Sequence, residues 1–190
     1  MFKTREEWLC AAVEELRPLF SVFSKPVPTK IRVATGFPYG AERSKAIGQC
    51  WSDTNSADGA VEILISPTLG DALQVFEVLV HELCHATAGA MNHGVNFQSI
   101  AGQMHLTPVG AGKETWKSTK GDGDFEATYR AIIDSLGDYP HAALSHGTKK
   151  VQGTRMLKAV CGCGYTIRLT NKWAALGLPT CVCGNSFSLT

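Results

Sequence analysis

The chain has 190 residues, 44% of them hydrophobic and 18% charged, with a formal net charge of +1. That length suits one proper core plus a small appendage. Lys3, Arg5, Glu6 and Glu7 sit where a secretory signal needs an apolar stretch, and no apolar run approaches a membrane span, so a soluble, intracellular, cytoplasmic protein with no membrane partner is expected. Thr4-Arg5-Glu6-Glu7 has the form of a capping box and opens a predicted helix to about Phe23, with Trp8, Val13, Leu16 and Phe20 for a core face. Pro26 and Pro28 stop it. Strands are predicted at residues 30–35, 46–51 and 61–65, separated by the turn-rich loop 36–43 and the polar loop 52–59. After the break at Ser66-Pro67, residues 71–90 read as one long helix with Leu73, Phe76, Val80 and Leu83 or Cys84 on its apolar face. A helix over 96–105, a loop over 110–123 and a helix over 124–136 with an acidic first turn follow, and Gly137 and Pro140 close the domain.

The long helix carries His81-Glu82-Leu83-Cys84-His85. At about 100° per residue, histidines four apart lie roughly 40° from one another and can grip one ion from one helical face. Glu82 falls about 60° round from His85, placed as a base rather than a ligand. Gly89 offers a left-handed end to the helix and lets the chain turn back with His93. Three protein ligands leave a fourth position open, which is what separates a catalytic zinc from a structural one.

Spacing restricts the third ligand. A metzincin needs Gly at 88 and His at 91, but the chain has Ala88 and Met91. Glu114, Glu126 and His93 remain on spacing. His93-Gly94-Val95-Asn96-Phe97 resembles the His-Gly-x-x-Phe segment of SprT-like metalloproteases, and Ile47-Gly48-Gln49-Cys50-Trp51 and Ile63-Leu64-Ile65-Ser66 resemble that family's strands, so the likeness covers roughly residues 5–105. The resemblance implies an α+β, zincin-like metalloprotease domain over residues 1–140, a small sheet packed on helices with the His-Glu-x-x-His helix at its centre. It also implies that His93 completes the zinc site with His81 and His85, and that Glu82 is the catalytic base.

The seven cysteines divide by position. In a reducing compartment they read as free or metal-bound. Cys10, Cys50 and Cys84 stand alone in apolar settings as small buried hydrophobes. Cys161-Gly162-Cys163-Gly164 and Cys181-Val182-Cys183-Gly184 are close pairs, each followed by glycine, and read as a zinc ribbon over residues 156–190 behind a polar linker at 141–155. Four thiolates close a tetrahedral structural site, so two Zn2+ ions are expected per chain, one catalytic and one structural. SprT-like tails have one residue between the first pair of cysteines. The second pair here, also spaced by one, departs from that habit.

Charge is unevenly distributed. Residues 1–140 hold 12 basic and 17 acidic residues, whereas residues 141–190 hold 6 basic and no acidic ones. Lys149, Lys150, Arg155, Lys158, Arg168 and Lys172 favour phosphate backbones, and Tyr165, Trp173 and Phe187 are available to stack on unpaired bases or to pack the ribbon. SprT-like proteases act on DNA-bound or DNA-crosslinked proteins. The resemblance therefore implies protein substrates and single-stranded or damaged DNA as partners. The alternative is a DNA-binding zinc protein whose zincin half is a scaffold without turnover, and a third reading is a peptidase of small processing substrates. Tyr129, His141 and His146 are candidate oxyanion partners, and His105 reads as a helix-end residue.

Overall fold

Thr4 begins the structure as its sequence suggests. In a computed structural model, which describes residues 2–40, 46–89, 91–110, 115–141, 143–145 and 156–190, its hydroxyl accepts the Glu7 amide while the Glu7 carboxylate accepts the Thr4 amide, opening α1 (Arg5–Phe20). The helix closes three residues earlier than expected, because the Ser21 amide and hydroxyl both turn back onto the Pro18 carbonyl. Its buried stripe is Trp8, Leu9, Ala12, Val13, Leu16 and Phe20. Cys10 is off that stripe and exposed, which corrects its reading as a buried hydrophobe. One residue beyond Leu9 on a helix is about 100° round from it, toward solvent.

The chain divides into two compact units, Met1–Ser145 and His146–Thr190. In the first, β1 (Ile31–Thr35) runs parallel to β3 (Val61–Ile65), and β2 (Gly48–Trp51) runs antiparallel to it, giving the order β1-β3-β2. The central strand alternates buried and half-buried positions from Val61 to Ile65, as a sheet with one face in the core requires. Asp71 then caps α2 (Ala72–Ala88), accepting the Gln74 amide, and Gly89 ends it with φ 64°. Next come α3 (Val95–Gln103) and α4 (Phe125–Leu136).

Between those two helices lies an element the sequence reading lacked. Leu106–Pro108 (β4), just before the expected loop of 110–123, and Thr119–Gly121 (β5), inside it, pair antiparallel, with Leu106 opposite Gly121 and Pro108 opposite Thr119. Three-residue strands rich in Thr, Pro, Lys and Gly carry no alternation to read.

Among the described residues, thirty buried apolar ones form the core of this unit, with Phe76 of α2 edge-on to Trp8 and packed against Phe125 and Tyr129. Fully burying one large apolar side chain is worth about 1.5–3 kcal/mol, so this core is the main force that holds the unit's elements together. Arg5 staples its two ends, donating from Nε to the Pro140 carbonyl and from Nη1 to that of Pro67, while Trp8 Nε1 donates to Gly137.

The second unit is a three-stranded antiparallel sheet in the order β7-β6-β8, made of β6 (Leu157–Cys161), β7 (Thr166–Leu169) and β8 (Phe187–Leu189), with a short α5 (Asn171–Ala175) between β7 and β8. Its buried apolar core is Ala159, Cys161, Cys181 and Phe187. The architecture is therefore mixed α+β with small sheets and, among the described residues, five α-helices. No described helix is long and apolar enough to cross a membrane.

Candidate metal centres

On α2, His81 and His85 present their rings one turn apart, and the Gly89 turn returns the chain so that His93, just before α3, meets them. His93 Nε2 lies 3.2 Å from His85 Nε2 and 3.3 Å from His81 Nε2. Three nitrogens at tetrahedral positions around zinc, each about 2.0–2.1 Å from it, stand about 3.3 Å apart, so the spacing fits that ion. The donor chemistry fits as well. Burial, aided by His85 and His93, pushes His81 down to about 3, and burial followed by the nearby Lys117 ammonium lowers His93, which leaves neutral rings with lone pairs to offer.

Phe97 accounts physically for the aromatic residue four positions after His93. It is fully buried, stacks on the His85 ring at 4.3 Å between centroids, and meets His81 and His93 at 4.9 and 4.8 Å. One apolar ring thus backs all three imidazoles. Gln98 Nε2 donates to the His93 carbonyl at 2.7 Å and steadies that residue.

Glu82 is 5% exposed, and burial pushes its carboxyl up to about 8, opposed by the Cys50 backbone amide that donates to it. Gly48 makes the room. A Cβ there would collide with Glu82 Oε1 and lie 2.6 Å from Val78 Cγ1, so only glycine lets β2 close over the carboxyl. A buried acid whose proton leaves near neutral pH is chemically suited to shuttle protons. Cys84 faces the core, fully buried, with its thiol raised well above the ordinary range by burial.

In the second unit the Cys161 and Cys183 sulfurs are 3.5 Å apart and those of Cys163 and Cys181 3.6 Å, and all four gather within 4.8 Å. Disulfides are about 2.05 Å, whereas thiolates around one zinc at about 2.3 Å stand about 3.8 Å apart, so the cluster has the form of an ion cage. Both pairs fold alike. The Cys161 amide donates to the Tyr165 carbonyl and Gly164 to that of Cys161, and Cys181 and Gly184 repeat the pattern with Asn185 and Cys181. Gly164 and Gly184 take φ 90° and 84°, and the second pair, for all its unusual spacing, forms the same turn as the first. The Cys183 thiol is pushed down to about 7, first by the Asn185 backbone amide and then by the neighbouring thiols.

Other anticipated residues fall elsewhere. Tyr129 is a core residue whose hydroxyl donates to the Met104 carbonyl, which corrects its candidacy as an oxyanion partner: the group is spent on packing α4. His141 is exposed with φ 66°, and His146, Glu114, Lys149, Lys150 and Arg155 lie outside the described residues. His105 follows α3 and pairs with Asp122, whose carboxylate accepts the Asp124 and Phe125 amides at the start of α4. Glu126 is on the surface of α4, paired with Arg130. Lys158 and Arg168 are exposed and directly opposite across β6 and β7, and Lys172 lies 5.3 Å from the Trp173 ring centre. Phe187 belongs to the ribbon's core, while Tyr165 and Trp173 are exposed. Residues that sequence reasoning missed are Thr119, whose Oγ1 is 2.8 Å from His81 Nδ1, and Glu77, which accepts the Gly121 amide. Thr119 is 38 positions from its partner, and nothing local signals the contact.

No protein-family model, curated protein or solved structure matches this chain.

Proposed function

We propose that this chain is a zinc-dependent endopeptidase of the SprT-like type, with a zincin-like catalytic unit and a zinc ribbon that contacts DNA. The observation that carries the reading is the convergence of three imidazole nitrogens at zinc spacing, two of them from the helix that also bears a buried glutamate. His81, His85 and His93 would hold the ion, and zinc so held supplies Lewis acidity to a carbonyl oxygen and makes water a better acid. Glu82 takes a proton from the attacking water and delivers it to the leaving amine nitrogen. The Cys50 amide orients the carboxylate for that transfer, and Phe97 closes the rear of the site to solvent. In the ribbon, Cys161, Cys163, Cys181 and Cys183 would hold a structural zinc, with Lys158, Arg168 and Lys172 exposed for phosphate contacts. The proposed substrates are proteins bound or crosslinked to DNA, a choice supported by the family resemblance and the basic C-terminal residues.

Glu82→Gln tests the reading. The variant should keep two zinc ions per chain and salt-sensitive DNA binding, while cleavage of a DNA-bound protein falls about 10²–10⁴-fold. Wild-type protein that binds zinc and DNA yet cleaves no such substrate would replace the enzyme with the scaffold reading. Binding that is indifferent to salt would remove DNA from the proposal.

A further inference from the structure

We infer that Thr119 is a positioning residue that fixes His81 as an Nε2 donor, and that the β4–β5 hairpin delivers it by a two-point clip onto α2. The inference rests on reading His81 as a metal ligand and concerns the group on the far side of its ring. His81 Nε2 faces His93, and its Nδ1 is 2.8 Å from Thr119 Oγ1. A ring that gives its Nε2 lone pair to a cation must carry its proton on Nδ1, and Thr119 Oγ1 is the acceptor waiting there.

The second point of the clip is Glu77, one turn before His81, whose carboxylate accepts the Gly121 amide at 3.0 Å. Residues four apart on a helix are separated by about 6.0 Å along its axis, and residues two apart on a strand by about 6.6 Å. Glu77 and His81 therefore match Gly121 and Thr119 in pitch, each pair on one face of its element. Close approach is part of the device. A Cβ on Gly121 would sit 2.7 Å from Glu77 Oε1 and 2.7 Å from Phe125 Cβ, so glycine lets β5 lie against the helix closely enough for the threonine to reach. The clip holds the ring's tautomer and its direction together, which is the task outer partners perform at histidine metal sites.

The test uses full-length Thr119→Val, which keeps shape and strand preference but lacks the hydroxyl, and Thr119→Ser, which restores it. Each protein, loaded with two equivalents of zinc, is titrated with a chromophoric chelator, and long-range ¹H–¹⁵N spectra of the imidazoles report the His81 tautomer. Thr119→Val should weaken one of the two ions ten- to hundredfold and leave the other unchanged. It should also lose the protected Nδ1 proton of His81, while Thr119→Ser stays near wild type. Wild-type affinity and an unchanged His81 signal in Thr119→Val, or equal losses in both variants, would overturn the role given to the hydroxyl. Wild-type protein that holds only a thiol-bound ion would instead defeat the three-imidazole reading and this inference with it.

Discussion

The three imidazoles are held in place by partners scattered along the chain, whereas the four thiols sit on two copies of one five-residue turn. Phe97 comes from α3, Thr119 from β5 and the cover over Glu82 from β2, all fixed by a core of thirty buried apolar residues. Four buried residues back the thiol cluster, two of them the cysteines themselves. The difference teaches which site is made by the fold and which must make the fold. In the first unit the three imidazoles are arranged by the packing around them; in the second, an ion held by the four thiols would supply the missing core.

The sharpest way to break that contrast is to remove metal. A strong chelator should collapse the amide spectrum of residues 156–190 to the narrow spread of an unfolded chain while residues 2–140 keep native dispersion, the ribbon losing essentially all of its structure. A ribbon that stays dispersed, or two units that melt together, would erase the distinction. A smaller effect is expected from Gly48→Ala, which puts a methyl group against Glu82 Oε1 and Val78. It should cost the first unit about 1–3 kcal/mol in denaturant unfolding and leave the affinity of the thiol cluster for added zinc unchanged. No loss would mean that β2 gives way easily, and that the glutamate is less tightly roofed than described.

The smallest effect concerns surface charge in the first unit. Arg32 binds Asp58 in two places and also Glu62, and its hydrogen bonds hold the Asp58 carboxyl well below the usual carboxylate range. A depressed folded-state value means the contribution is complete above about pH 4 and is lost as pH falls through that lowered value. Both side chains are about half exposed, at 51% and 48%, so salt should screen the pair. Asp58→Asn should therefore lower the melting temperature slightly at neutral pH and low salt, and the deficit should shrink in molar salt and in strong acid. A deficit that ignores both would point to packing rather than charge.

How far the sequence could be read follows the same division. Clusters set by short covalent spacing were legible: His81 and His85 by helical period and the four cysteines by their pairing, with His93 added by the resemblance of the segment it opens, and the structure brings each group together. Capping at Thr4 was legible for the same reason, since the partner is three residues away. What stayed hidden was arranged through space. Thr119 and Glu77 reach partners 38 and 44 positions off, and the hairpin joining them has no alternation of apolar residues. Cys10 was misread from its neighbours' chemistry, although the stripe of Leu9, Ala12 and Val13 already turns it outward.

The repeated turn in the ribbon has a consequence for how that unit can vary. A cation shared by the two turns would act as a cross-link, tying Cys163 to Cys181 across seventeen residues. Once such a loop is pinned at both ends, the entropy of closing it grows only with the logarithm of its length, about 0.6 kcal/mol per doubling. The segment bearing α5 and Trp173 can thus lengthen, shorten or change its surface at little thermodynamic penalty, which makes it the place where this small module is able to acquire a new contact face without reopening its clasp.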